Sequence, residues 1–91
     1  MSYKLAIDWD VYQETKLLGL TTRRLFERSF SRIQGASHNN SARTERGLEG
    51  QRWEVHPLPG YEIVYWIDEA DKRVLIVGIR RVPIKRIRRR K

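Results

Sequence analysis

Apolar and polar residues alternate at the start of the chain: Tyr3, Leu5, Ile7 and Trp9 are separated by Lys4, Ala6 and Asp8. A period of two is the pattern of a strand with one buried face, so a first strand is predicted over residues 3 to 9. Asp10 and Gln13 make a capping arrangement that opens a short helical stretch, which reaches Leu17 and Leu18 before Gly19. Beyond Gly19, Thr21 or Thr22 can cap a second helix in which Leu25, Phe26, Phe30 and Ile33 form an apolar stripe. Arg23, Arg24, Arg28 and Arg32 lie mostly off that stripe, as a solvated face, and Gly35 is a natural stop. Residues 35 to 50, GASHNNSARTERGLEG, hold only Leu48 as a large apolar residue. They read as a functional or mobile loop whose Arg43 and Arg46 add positive charge near whatever it faces.

The second half reads as an antiparallel meander. Strands are predicted over residues 52 to 58, 61 to 68 and 73 to 80, joined by the Pro59-Gly60 turn and a polar turn over 69 to 72. In the middle strand Tyr61, Ile63, Tyr65 and Ile67 share one face, and Glu62, Val64 and Trp66 share the other. Both faces are partly apolar. One packs on the two helices, and the other is a shallow concave surface to be covered by the C-terminal segment or a partner. The expected fold is therefore α+β: a small single domain with an N-terminal strand, a two-helix hairpin and a three-stranded antiparallel meander, forming one sheet packed on the helices. It spans residues 1 to 84 and is followed by a basic tail over 85 to 91. Pro83 ends the last strand, and the pattern of the residues after it is compatible with either a helix or a free tail.

Composition narrows the class. The 91 residues, 40% of them hydrophobic with three Trp, four Tyr and two Phe, suffice for one modest core and leave no room for a second. No cysteine is present and there are two histidines, His38 and His56, so neither a disulfide framework nor a structural zinc site is expected. The longest apolar stretch, Val74 to Ile79, is far short of the roughly 20 residues that cross a bilayer, and the start lacks a signal-peptide pattern. A cytoplasmic protein with no membrane association is expected.

The formal charge of +8 is unevenly placed. Residues 80 to 91 carry eight of the 19 Lys and Arg and no acid, whereas residues 1 to 79 balance 11 basic against 11 acidic side chains. Such an arm suits phosphate through counterion release, and also acidic protein or an anionic membrane surface; a plain solubilising tail is the bland alternative. Nucleic acid or the ribosome is the favoured partner. Glycine-rich phosphate loops, nucleophile elbows and His-Glu-x-x-His are all absent from the sequence.

The order strand, two helices, three-stranded meander resembles the RelE/ParE superfamily of type II toxins. The stretches Gly47-Leu48-Glu49-Gly50, Trp53-Glu54-Val55, Gly60-Tyr61-Glu62-Ile63-Val64-Tyr65 and Val74 to Arg80 are similar to the superfamily's own run over its C-terminal half. The resemblance implies a toxin that an antitoxin silences by covering the concave sheet face with a helix or strand. In the RelE-like branch it implies a ribosome-dependent mRNA endoribonuclease, an mRNA interferase that inhibits translation. Neither metal nor organic cofactor is implied.

Cleavage of this kind needs a base, an acid and a cation around one phosphate. By resemblance, Arg80 falls on the arginine that ends the final strand, with Arg81 beside it, and both would hold phosphate. Glu54 and His56 flank Val55 and point to one face as a candidate acid/base pair, with Glu62 a third proton carrier. Arg46 and the tail residues Lys85, Arg86, Arg88, Arg89, Arg90 and Lys91 are the expected RNA contacts. Two departures matter: Glu62 stands where RelE-like enzymes carry an arginine, and no tyrosine follows position 65. They keep open a ParE-like gyrase poison and a non-catalytic RNA-binding module. Beside these readings, His56 is as well a polar strand-end residue, and Glu54 and Glu62 as well ordinary cross-strand partners of Arg52, Arg80 or Arg81. Trp53, Tyr61 and Tyr65 read as packing residues, and Trp66, on the opposite face, as lining for an antitoxin groove.

Overall fold

The computed structural model describes residues 3–35 and 41–82, so His38 and the expected RNA contacts Lys85, Arg86, Arg88, Arg89, Arg90 and Lys91 lie outside the described residues. The elements are β1 (Lys4–Ile7), α1 (Trp9–Lys16), α2 (Leu20–Gly35), β2 (Arg43–Arg46), β3 (Arg52–Leu58), β4 (Tyr61–Asp68) and β5 (Arg73–Arg81). They form one five-stranded sheet in the order β1-β5-β4-β3-β2, with β1 parallel to β5 and the other neighbours antiparallel. The expected α+β class and the meander hold, with one strand more than the sequence suggested.

The core lies between the sheet and the helices. Phe26, Ser29, Phe30 and Ile33 recur at helical spacing along the buried side of α2. They meet Ile63 and Tyr65 of β4 and Val74 and Ile76 of β5, with Val11 of α1 closing the cluster. Phe26 packs edge-on against Tyr61 with ring centroids 5.0 Å apart. Leu25, expected in the stripe, is only half buried.

Three local expectations are corrected. The first strand stops at Ile7 because the Asp8 carboxylate accepts the Asp10 backbone N–H at 3.0 Å and caps α1. Trp9, whose alternation suggested a fourth inward strand residue, is instead the first residue of α1 and 66% exposed. The second helix starts before Thr21 and Thr22: the Arg23 N–H already donates to the Gly19 carbonyl at 2.9 Å, so glycine fills the cap position. Finally, residues 43 to 46 of the expected loop are strand β2, pairing with β3 from Arg43 opposite Val55 to Arg46 opposite Arg52. The turn that joins them is closed by the Gly47 N–H donating to the Gln51 carbonyl at 2.7 Å, with Gly50 at φ +85°.

One irregularity sets the geometry of the site. Val64 pairs with Gly78 but Tyr65 pairs with Ile76, so Val77 is an extra residue in β5. A one-residue bulge reverses the side-chain parity beyond it. Val74 and Ile76 face the helices, and so, past the bulge, does Ile79, opposite Ile63. Arg80, opposite Glu62, is thereby turned to the open face of the sheet.

Candidate functional site

On the open face, four charged side chains from three strands close into a ring. Arg43 of β2 grips Glu62 of β4 with both terminal nitrogens, at 2.7 and 3.2 Å. Glu62 also forms an ion pair with Arg80 of β5 at 3.0 Å. Arg80 in turn grips Glu45 of β2 at 2.9 and 3.1 Å, and Glu45 accepts from Arg43 at 2.7 Å. Charges alternate around the ring and cancel.

The same face of the sheet also carries apolar residues between the strands that hold the ring. Strands β2 and β5 are separated by β3 and β4, three steps of about 4.8 Å each, so Arg80 and Glu45 meet above the strands between them. The open-face valines, Val55 and Val64, are 0% and 8% exposed although neither described helix, α1 or α2, lies on that face. Arg43 stands directly opposite Val55 in the sheet, and long charged side chains such as those of the ring can cover apolar surface with their stems.

Pairing fixes the protonation of all four groups. Hydrogen bonds from Arg80 and then Arg43 hold the Glu45 carboxyl down to about 2. The Arg43 guanidinium holds Glu62 below the ordinary carboxylate range. Conversely, the bond to Glu62 raises Arg43 and the bond to Glu45 raises Arg80. As paired, the two carboxylates are poor proton acceptors.

Beside the ring lies an open groove of about 610 Å³, lined by Trp53, Leu48, Val64, Val77 and Gly78 and ending at Glu45 and Arg80. Gly78 leaves its floor open, since a Cβ there would meet nothing within 4 Å. Gly47 is different: a Cβ at that position would come within 2.6 Å of the Gln51 amide and the Trp53 indole nitrogen. The close approach of the hairpin backbone to Trp53 therefore depends on glycine.

Of the site residues expected from the sequence, the structure brings together Glu62 and Arg80, in the cross-strand pair that was one of the two readings. It separates the others. Glu54 lies opposite Tyr65 and His56 opposite Ile63, so both point to the helix face, where they are 7% and 9% exposed. The partner of Glu54 there is Arg52, at 2.9 Å. Arg81 also faces the helix side, its guanidinium 5.7 Å above the Tyr61 ring, because adjacent strand residues point apart. The expectation of one cluster holding Arg80, Arg81, Glu54 and His56 is thus corrected by strand register. Arg46 donates to the Gly50 carbonyl at 3.3 Å within the β2–β3 turn and is not in the ring. Tyr65 is fully buried, and burial pushes its phenol up.

Glu45 falls outside the site the sequence predicts, and Arg43 enters there only as loop charge. The signal that could have found them was the charge alternation in Arg43-Thr44-Glu45-Arg46, which places Arg43 and Glu45 on one face of any strand. Among the described residues, no cluster of His, Cys, Asp or Glu is arranged to hold a metal ion, and no helix is long and apolar enough to cross a membrane.

No family model and no curated protein matches the sequence. Solved structures do match the fold. A chain of the archaeal RelE–RelB complex from Pyrococcus horikoshii OT3 superposes with a TM-score of 0.75 at 17% identity, covering 89% of this chain and 96% of that one. The toxin–antitoxin complex RelBE2 from Mycobacterium tuberculosis gives 0.75 at 13% identity, over 90% and 100% of the two chains. The isolated E. coli RelE toxin gives 0.67 at 20% identity, over 94% and 88%. At these identities the likeness is one of architecture, and the fold of this chain is that of the RelE toxins.

Proposed function

We propose that this chain is the toxin of a type II toxin–antitoxin pair and that it cuts mRNA on the ribosome in the RelE manner. One observation carries the reading: the RelE fold runs through nearly the whole of both chains, and on it the open face presents Arg80 and Arg43 beside an accessible groove. In the reaction a ribose 2′-oxygen attacks the adjacent phosphorus, its proton passes to a base, and the 5′-oxygen leaves with a proton, giving a cyclic phosphate. Guanidiniums that meet the phosphate oxygens stabilise the charge that develops there. Arg80 and Arg43 occupy that role. Glu54, His56 and Arg81 sit across the sheet from the same phosphate, which narrows the proposed site to Arg80 and Arg43 with the carboxylates that orient them.

The neighbouring structures include complexes of RelE with RelB. They support a cognate antitoxin as partner here. We propose that it seats on the open face over the groove and the ring, and that the chain acts in the cytoplasm. Ribosomal RNA is the proposed contact of the basic tail. The decisive experiment is to express the chain alone in a bacterial host and map mRNA 5′ ends in ribosome-protected fragments as growth slows. New ends within the ribosomal A site, lost in Arg80→Ala, are expected. Growth arrest with intact mRNA would overturn the activity, and cutting that survives Arg80→Ala would overturn the site.

A further inference from the structure

The ring presents an apparent contradiction. A site meant for phosphate has its guanidinium donors already bonded to carboxylates, and its net charge is zero. We propose that the ring is a self-masked phosphodiester site in which Glu45 is the internal competitor, leaving Arg80 when a phosphate takes its place. The choice of phosphate as ligand rests on the toxin reading above; that Glu45 is the carboxylate to leave rests on the geometry.

Three observations single out Glu45 rather than Glu62. First, β2 is a four-residue strand at the sheet edge, bonded to β3 alone, whereas β4 is paired on both sides. Second, the Glu45 side chain is 31% exposed and that of Glu62 is 15%. Third, the groove reaches the ring at Glu45 and Arg80, while Glu62 does not line it. A ligand lying in the groove therefore approaches the Arg80–Glu45 bond from its open side.

The exchange leaves the rest of the ring in place. When Glu45 swings out, Arg80 keeps its ion pair with Glu62 at 3.0 Å and Arg43 keeps both of its hydrogen bonds to Glu62. Glu62 then acts as the fixed post that aims two guanidiniums at the vacated position, where the bidentate geometry that served a carboxylate equally serves a phosphate. The site changes from neutral to a net charge of +1 as the carboxylate departs. Glu45 thus sets selectivity: an isolated anion must compete with a tethered carboxylate, whereas a phosphate delivered within a longer bound ligand has the rest of that ligand to hold it there.

The test is a titration of the full chain with inorganic phosphate at low ionic strength, followed by NMR at the Nε–H groups of Arg43 and Arg80 and at the side-chain carboxyl carbons. These signals belong to the ring side chains themselves. In the unsubstituted chain, phosphate is expected to shift the Arg80 signal and the Glu45 carboxyl together and to leave the Glu62 carboxyl nearly unmoved. Glu45→Gln is expected to bind phosphate about fivefold more tightly, the scale of one exposed charge pair. Affinity unchanged or weakened in Glu45→Gln overturns the masking role. Movement of Glu62 in place of Glu45 in the unsubstituted chain overturns it too, and needs no variant to fold. Phosphate exchange at Glu45 supports the proposal whether or not the chain cuts mRNA, so the two readings fail separately.

Discussion

Val55 offers a direct measure of how well the charged ring excludes water. It lies on the sheet face away from α1 and α2, yet it is 0% exposed, and Arg43 stands directly opposite it in the sheet. Val55→Ala removes two methyl groups. At about 0.8 kcal/mol for each buried carbon, the transfer loss is about 1.6 kcal/mol, and a partly unfilled cavity brings it to about 2 to 3 kcal/mol. For a domain of this size, that lowers the melting temperature by about 10 °C. A valine on a wet sheet face would instead change stability by about 0.5 kcal/mol or less.

Urea unfolding followed by tryptophan fluorescence reports the difference, with the slope of the transition checking that both variants unfold alike. The same substitution in an Arg43→Ala background separates roof from floor. If the ring covers Val55, removing Arg43 first wets the site, and the second substitution then costs about 1 kcal/mol less than it does alone. A loss below about 0.5 kcal/mol for the single variant, or strict additivity of the pair, would show that the ring does not shield the floor.

Acid should weaken the fold through the same ring. Glu45 and Glu62 have carboxyls held below their ordinary value, Glu45 at about 2, so between there and about 4.5 the unfolded chain binds more protons than the folded one. Their contribution is present above pH 4.5 and disappears as the pH falls toward 2, and the urea midpoint should drop across that window less steeply in the Glu45→Gln/Glu62→Gln double variant. Gly47→Ala should destabilise by about 1 to 3 kcal/mol, since its Cβ would press on the Trp53 indole at 2.6 Å; a shifted Trp53 indole N–H signal in NMR would mark the strain. Asp8→Ala should cost about 1 kcal/mol by removing the cap of α1, read as a lower thermal midpoint with Asn at the same position restoring it.

Where burial is by apolar side chains, the sequence reads well. Alternation marks β1, β3, β4 and β5, and Phe26, Phe30 and Ile33 mark α2, because a wrong assignment would expose them. Strand β2 is illegible by the same logic. Arg43-Thr44-Glu45-Arg46 contains no apolar residue; it is a strand because β3 offers it a hydrogen-bonded edge and because its ion pairs reach across the sheet. The face of Glu54 and His56, by contrast, was readable. A two-residue Pro59-Gly60 turn sets Leu58 opposite Tyr61 and hence His56 opposite Ile63. Their parity with the core strip of β4 then removes them from the face that carries Glu62.

Arg80 depends on a feature that alternation alone would have placed wrongly. Counting by twos from Val74 and Ile76 puts Gly78 and Arg80 toward the helices and Ile79 outward. A glycine would then stand in the core opposite Ile63 and leave a void, an isoleucine would be left in water opposite Glu62, and Arg80 would be carried away from Glu62 and Glu45. The extra residue at Val77 reverses both placements at once, so that Ile79 completes the packing beneath α1 and α2 while Arg80 crosses the open face to Glu45. The bulge leaves the side-chain-free Gly78 facing the groove, which keeps open the approach to that same ion pair. Core packing and site assembly are therefore alternatives only for a regular strand. In this one they favour the same register, and any change that restores regular alternation in β5 must sacrifice both.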